Sequence, residues 1–204
     1  MQYRSLPGLT SYEDARALQL QLVDLRARDE IEDTVLFLEH KPVITRGKGL
    51  QFTGAERPKH MPLPLLPEGI EFAESERGGD LTYHGPGQLV VYPILKIRDL
   101  GAYLRGLETM LIELLAERGL KAESRPNAAG VWVGEKKVAS MGVAVKRWVT
   151  YHGIAINIVN DLKPFHAISP CGFSPEVMGK LEDLTSISPD WRREWEAAFR
   201  KKFH

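Results

Sequence analysis

Apolar and polar positions along the chain change period several times, and each change marks an element. Thr10-Ser-Tyr-Glu13 has the form of a capping box, and Ala15, Leu18, Leu22 and Leu25 follow at helical spacing, which predicts an amphipathic helix over 11–28. Thr34–Leu38 reads as a strand, and 39–47 holds a second short extended piece. Prolines at 58, 62, 64 and 67 exclude regular structure from about 56 to 68. Ile70–Ser75 is predicted as another strand, and the unbroken apolar run Leu89–Leu95 as a buried one. Asp99–Arg118 is the clearest helix, with Leu100, Tyr103, Leu104, Leu107, Leu111, Leu114 and Leu115 on one stripe and Gly119 as a stop.

From 120 to 158 the period shortens to that of strands. Val131–Val133 and the run from Val138 onward flank Gly134–Lys137, which predicts a hairpin. Residues 147–158 alternate and place His152, Ile154, Ile156 and Ile158 on one face. The stretch 163–175 reads as loop, and Ser188-Pro189 opens a last helix running to about Lys202. Hairpins dominate and regular βαβ alternation is missing. The expectation is therefore an α+β fold, a mainly antiparallel or mixed sheet with helices packed on it. A chain of 204 residues without repeats supports a single domain, 1–204.

Composition narrows the class. The apolar and charged fractions, 43% and 26%, are those of an ordinary globule, and the net charge is zero. Residues 1–102 carry 12 basic against 15 acidic groups, and 103–204 carry 15 against 12. That imbalance is too small for a nucleic-acid binder but suits a modest surface for an acidic protein partner. No run of apolar residues spans a membrane and the first residues lack a signal-peptide core, so a cytoplasmic location is expected. A lone cysteine, Cys171, excludes an internal disulfide and a cysteine metal cluster. No metal site is expected.

Two stretches carry chemistry. Arg77-Gly-Gly-Asp-Leu-Thr-Tyr-His-Gly-Pro-Gly-Gln88 concentrates four glycines that let backbone approach a ligand, although an ordinary hairpin turn at Gly85–Gly87 is the plainer reading. It matches neither GxxxxGK[ST] nor GxGxxG. Cys171 lies between Pro170, which stiffens its approach, and Gly172, whose bare N–H suits a carbonyl oxygen. A thiol with a pKa of about 8.5 is only a few per cent thiolate at neutral pH and needs a cation beside it. Lys136, Lys137, Lys163, His84, His152 and His166 are all candidates on the residues alone.

The pattern Arg-Gly-Gly-x-x-Thr-x-His-Gly-Pro-Gly-Gln resembles the signature of the lipoyl(octanoyl) transferases, which share a catalytic fold with lipoate and biotin protein ligases. Gly134-Glu-Lys-Lys-Val-Ala-Ser-Met-Gly142 is similar to the family's second motif, and Pro170-Cys-Gly172 to its third. His152-Gly-Ile-Ala-Ile-Asn157 matches a segment between them, so the pieces lie in order over about 35–173. The resemblance implies a biotin/lipoate-ligase-like core over about 30–204, Cys171 as nucleophile and Lys137 as the catalytic lysine. Strand neighbours point to opposite sides, so only one of Lys136 and Lys137 can serve. The same resemblance implies a substrate site lined by Arg77, Gly78, Gly79, Asp80, Leu81, Thr82, Tyr83 and His84, with Ser140, Met141, Gly142, Gly153, Ile154 and Ala155 opposite.

The implied reaction moves an octanoyl group from acyl carrier protein to a lysine of a lipoyl domain, in 2-oxoacid dehydrogenase E2 subunits or the glycine cleavage H protein. Cys171 would take the acyl group as a thioester and pass it to the acceptor amine, with Lys137 exchanging the protons. Thioester-to-amide conversion is downhill, so no cofactor and no ATP is expected. An ATP-dependent lipoate or biotin ligase on the same fold, or a non-catalytic module that retains the pocket, are the alternatives.

Overall fold

A computed structural model describes residues 1–49, 66–126, 128–168 and 174–203. The predicted proline-rich loop falls mostly, and Cys171 entirely, outside the described residues. In chain order the elements are β1 (Gln2–Thr10), α1 (Tyr12–Ala27), β2 (Thr34–His40), β3 (Val43–Arg46), β4 (Glu71–Glu74), β5 (Leu81–His84), β6 (Gln88–Ile94), α2 (Leu100–Ala116), β7 (Ala122–Ser124), β8 (Gly130–Val133), β9 (Lys136–Lys146), β10 (Val149–Asn157) and α3 (Trp191–Lys202).

Among the described residues the strands form a seven-stranded sheet in the order β1-β2-β6-β10-β9-β8-β7 and a three-stranded sheet in the order β4-β3-β5. Pairing is antiparallel except at β1–β2 and β3–β4. The expected mixed, mainly antiparallel sheet with packed helices is what forms. β2 is apolar from Val35 to Leu38 and β6 from Leu89 to Ile94, because both faces of the large sheet are covered there. On one face Phe37, Leu89, Val91 and Ile156 meet Leu111, Leu115 and Phe199 of α2 and α3. On the other, Leu36, Leu38, Val90 and Tyr92 meet Ala15, Leu22 and Val23 of α1.

Several boundaries differ from the reading of the sequence, each for a local reason. The cap of α1 is Ser11, one residue later than the box suggested, and its Oγ accepts from the Asp14 amide. α3 begins at Trp191, because Ser188 caps the preceding turn by accepting from the Asp190 amide. β1 was not expected. It is a mostly exposed edge strand whose register shifts between Ser5 and Leu9, and an edge tolerates Pro7 where a central strand would not. The hairpin turn is only Gly134-Glu135, so Lys136 and Lys137 belong to β9.

His152 departs from the isoleucine face. Its φ of +55° turns the ring toward Tyr12 and Tyr92, on the α1 side, while Ile154, Ile156 and Ile158 stay on the α2 side. The N-terminal end of the α2 stripe also leaves the core, since Leu100 is exposed and Leu104 half-buried. A long-range tie joins the ends of the chain. Glu39 accepts from the Gly87 amide at 2.7 Å and pairs at 3.1 Å with Arg192, which also reaches the Leu6 carbonyl. Among the described residues no helix is long and apolar enough to cross a membrane.

Candidate active site

A cleft of about 1230 Å³ opens where β9 and β10 of the large sheet, the Arg77–His84 stretch, the start of α2 and residues 124–126 and 128–129 converge. Small residues in the middle of β9 and β10 make its floor. Ser140, Met141 and Gly142 on β9 pair in register with Ala155, Ile154 and Gly153 on β10, and all six line the cleft. Leu100, Leu104, Val90 and Val143 supply apolar wall. Leu100 and Leu104, which the apolar stripe of α2 assigns to the core, are therefore wall residues.

The Arg77–His84 stretch straps the small sheet to the large one. The Arg77 guanidinium is buried and donates to Thr45 Oγ1 and the Thr45 carbonyl of β3, both at 2.8 Å, and to the carbonyls of Gly78 (3.0 Å) and Asp80 (2.7 Å). The Gly78 amide reaches across to the Val143 carbonyl at 3.1 Å. A Cβ on Gly142 would stand 3.0 Å from the Gly78 carbonyl oxygen and 3.1 Å from Arg77 Cδ, so a bare backbone lets the strap lie against β9. Arg77 thus holds the loop in place with most of its fork, a task for which a planar, five-donor cation is suited.

Strand alternation sorts the rest of that stretch. Gly78, Gly79, Asp80, Thr82 and His84 face the cleft. Leu81 and Tyr83, expected beside them, face away: Tyr83 packs edge-on against Phe165 at 5.6 Å and Leu81 joins the same cluster. The cause is the period of two in β5, which a loop reading of 77–88 could not supply.

Lys137 is 3% exposed and lines the cleft, its Nζ 6.0 Å from the centre of the Trp132 ring. The backbone behind it is fixed, because its carbonyl accepts from the Gly179 amide at 3.0 Å and it bridges in parallel to Met178. Gly130 stands directly at its side chain. With φ of +130°, a Cβ there would fall 2.9 Å from Lys137 Cε and 2.1 Å from the Ala139 oxygen. Lys136 points the other way, exposed, and donates to the Glu176 carbonyl at 2.6 Å. Of the other candidate cations, His166 is exposed near Glu176. Residues on either side of the Cys171 segment, Ile168 and Met178, pack in one apolar cluster, and Met178 is the residue bridged to Lys137.

Three histidines sit buried beside the cleft. His40 Nδ1 donates to the Thr10 carbonyl at 3.1 Å and its Nε2 accepts from the Tyr92 hydroxyl at 2.8 Å. Burial pushes its pKa down to about 4. His84, whose ring lies 5.5 Å from that of His40, is held well below the usual imidazole range by burial, with His40 and Arg77 adding to it. His152 is lowered by burial against the opposing pull of Glu76, which lies 3.4 Å from its Nε2. Glu76 in turn is held well below the ordinary carboxylate range by His152 and Arg16. Tyr12 and Tyr92 line the cleft and Glu76 pairs with His152, and none of the three is among the site residues expected from the sequence.

Several basic residues of the second half pair with carboxylates of the chain. Lys146 and Arg147 face Asp24, Arg192 pairs with Glu39 and Glu196, and Lys202 with Glu113 and Glu117.

The chain matches the model of the lipoyl protein ligase A/B catalytic domain over residues 11–203. It is 41% identical over 203 residues to an octanoyltransferase of Thermosynechococcus vestitus, covering 96% of this chain and 87% of that one. An octanoyltransferase of Geobacter metallireducens is 45% identical over 169 residues, 81% of this chain and 75% of the relative. Among solved structures, a lipoate-protein ligase A bound with ATP superposes with a TM-score of 0.70 at 18% identity, covering 100% of this chain and 86% of that one. A biotin acetyl coenzyme A carboxylase synthetase from Helicobacter pylori gives 0.53 at 15% identity, covering 99% and 73%. At such identities the structural likeness speaks for the fold alone.

Proposed function

The chain belongs to the lipoyl protein ligase A/B catalytic-domain family, and from that membership we propose that it is an octanoyltransferase, an acyltransferase of lipoate biosynthesis. The donor in this reading is octanoyl-acyl carrier protein. The acceptor is a lysine on a lipoyl domain, of 2-oxoacid dehydrogenase E2 subunits and the glycine cleavage H protein, met in the cytoplasm.

The observation that carries the chemistry is a buried lysine at the wall of an apolar cleft floored by small residues. In the proposed first step the Cys171 thiolate attacks the donor thioester and the carrier's thiolate leaves, taking a proton from the Lys137 ammonium. In the second, the acceptor amine attacks the acyl-enzyme carbonyl and Cys171 leaves, while Lys137 takes the amine proton and returns it to the sulfur. Ile168 and Met178, which flank the Cys171 segment in sequence, share one apolar cluster and Met178 is bridged to Lys137, which supports this pairing. Eight carbons against Leu104, Met141, Val143 and Ile154 contribute about 0.8 kcal/mol per buried CH₂, so chain binding rests on the apolar wall.

Mixing the protein with octanoyl-acyl carrier protein, without ATP, should add one octanoyl mass that disappears in Cys171→Ser. An adduct that survives this substitution, or turnover that demands ATP and free acid, would overturn the reading in favour of a ligase.

A further inference from the structure

A chain of side-chain amides runs beneath the cleft and ends on His84, and backbone carbonyls determine the direction of every bond in it. Asn157 Nδ2 donates to the Gly179 carbonyl at 2.9 Å, and a carbonyl can only accept. The other end of that amide, Asn157 Oδ1, therefore accepts from Gln88 Nε2 at 2.9 Å. Gln88 Nε2 also donates to the Tyr83 carbonyl at 3.2 Å, which fixes its amide independently. Gln88 Oε1 is then the atom 2.7 Å from His84 Nδ1, and Nδ1 must carry the hydrogen. All three side chains are buried, so water does not compete for these bonds. His84 is neutral in this setting, and its proton is on Nδ1. Its ring lines the cleft, and Nε2 has no hydrogen-bond partner among the described residues.

We infer that Asn157 and Gln88 are positioning residues that lock His84 as a hydrogen-bond acceptor, and that His84 Nε2 receives an N–H of the acceptor lysine as it attacks the acyl-enzyme. A lone pair repels a developing oxyanion, so His84 cannot belong to an oxyanion hole. The octanoyl group itself offers no donor. The acceptor amine does, and its own lone pair must be aimed at the acyl carbon, which an acceptor gripping one N–H achieves. No proton moves to His84; the transfer from amine to Lys137 to sulfur stays as proposed above. The same relay reaches Lys137, whose carbonyl binds the amide of the Gly179 that anchors Asn157. This role rests on the Cys171 acyl-enzyme reading.

Two measurements test it. In protein labelled with ¹⁵N-histidine, with His84 assigned by loss of its signals in His84→Asn, Nε2 should resonate as an unprotonated nitrogen and Nδ1 as an N–H at pH 7. Gln88→Met should mix the tautomers, and Gln88→Glu should restore Nδ1–H. An Nε2–H tautomer or an imidazolium in the unaltered protein would overturn the lock. Separately, octanoylation of Cys171 and transfer from the isolated octanoyl-enzyme to a lipoyl domain are timed for each variant. His84→Asn and Gln88→Met should slow transfer to the acceptor at least tenfold more than acylation, with Gln88→Glu intermediate. Equal slowing of both halves, or a greater effect on acylation, would overturn the role in aminolysis. No adduct on the unaltered protein would overturn the acyl-enzyme reading and that role with it, while the tautomer spectrum would still judge the lock.

Discussion

Lys136 and Lys137 are neighbours on β9 and lie on opposite sides of it. One is exposed with its ammonium on the Glu176 carbonyl, and the other is 3% exposed at the cleft wall beside Trp132. Lys137→Ala should therefore reduce octanoyl transfer by about 10²–10⁴-fold, the usual worth of a positioned acid–base group. Lys136→Ala should leave turnover within about threefold and shift stability by no more than about 1 kcal/mol, as for an exposed polar contact. Steady-state transfer rates and urea midpoints of the two variants check this.

Acid should destabilise the fold before any carboxylate is protonated. In the unfolded chain His40 binds a proton near pH 6.5, whereas in the folded protein it does so only at about 4. Its folded pKa is depressed, so the stability it supports is complete above pH 6.5 and is lost as the pH falls toward 4, on the order of 3 kcal/mol in all. His84 and His152 are lowered too and act with the same sign. Glu76, also lowered, adds its own loss only below about pH 4.3. Chemical denaturation at pH 7.0 and 5.0 should show this loss, and it should be smaller in His40→Gln.

Why so much was legible and some was not follows from particular residues. The run Leu89–Leu95 and the leucines of α2 announce themselves because burial repeats along them with a clear period. β1 has no such period: it is an exposed edge whose pairing with β2 is made by backbone. His152 breaks the alternation of β10 through one positive φ, which no pattern of side chains encodes. Leu81 and Tyr83 look like site residues because they interrupt a recognisable motif, and only the strand through them shows that they face Phe165 instead. Gln88 and Asn157 stood in motifs already quoted, yet their link spans 69 positions and needs the pairing of β6 with β10, Gln88 opposite Asn157, to become visible.

Gly130 couples fold and chemistry at one position. Gly130→Ala would force a Cβ against the Ala139 oxygen at a φ that side chains rarely adopt, and against Lys137 Cε. A loss of about 2–4 kcal/mol is expected, from strain and overpacking together. Transfer activity at a temperature where the variant is still folded should fall as well, since the lysine must move. Thermal melts paired with rates at 15 °C separate the two effects.

Arg77→Lys tests whether the signature arginine is a strap or a free charge. Lysine keeps the charge but cannot reach Thr45, Gly78 and Asp80 together. Destabilisation of about 1–3 kcal/mol is expected, with faster amide exchange at Gly78 and Gly49, which bond to Val143 and Gly79. Wild-type exchange at those amides would mean that charge alone suffices.

The clasp between Glu39, Gly87 and Arg192 makes the two ends of the chain partners in holding the turn that follows His84. Glu39 is only 15% exposed at its side chain, so trimming α3 away would strand an anion with its amide contact but without its cation. Damage to the last helix would then be transmitted to a motif about a hundred positions upstream. The last helix is, in this molecule, a brace for the turn after His84, a residue that lines the cleft.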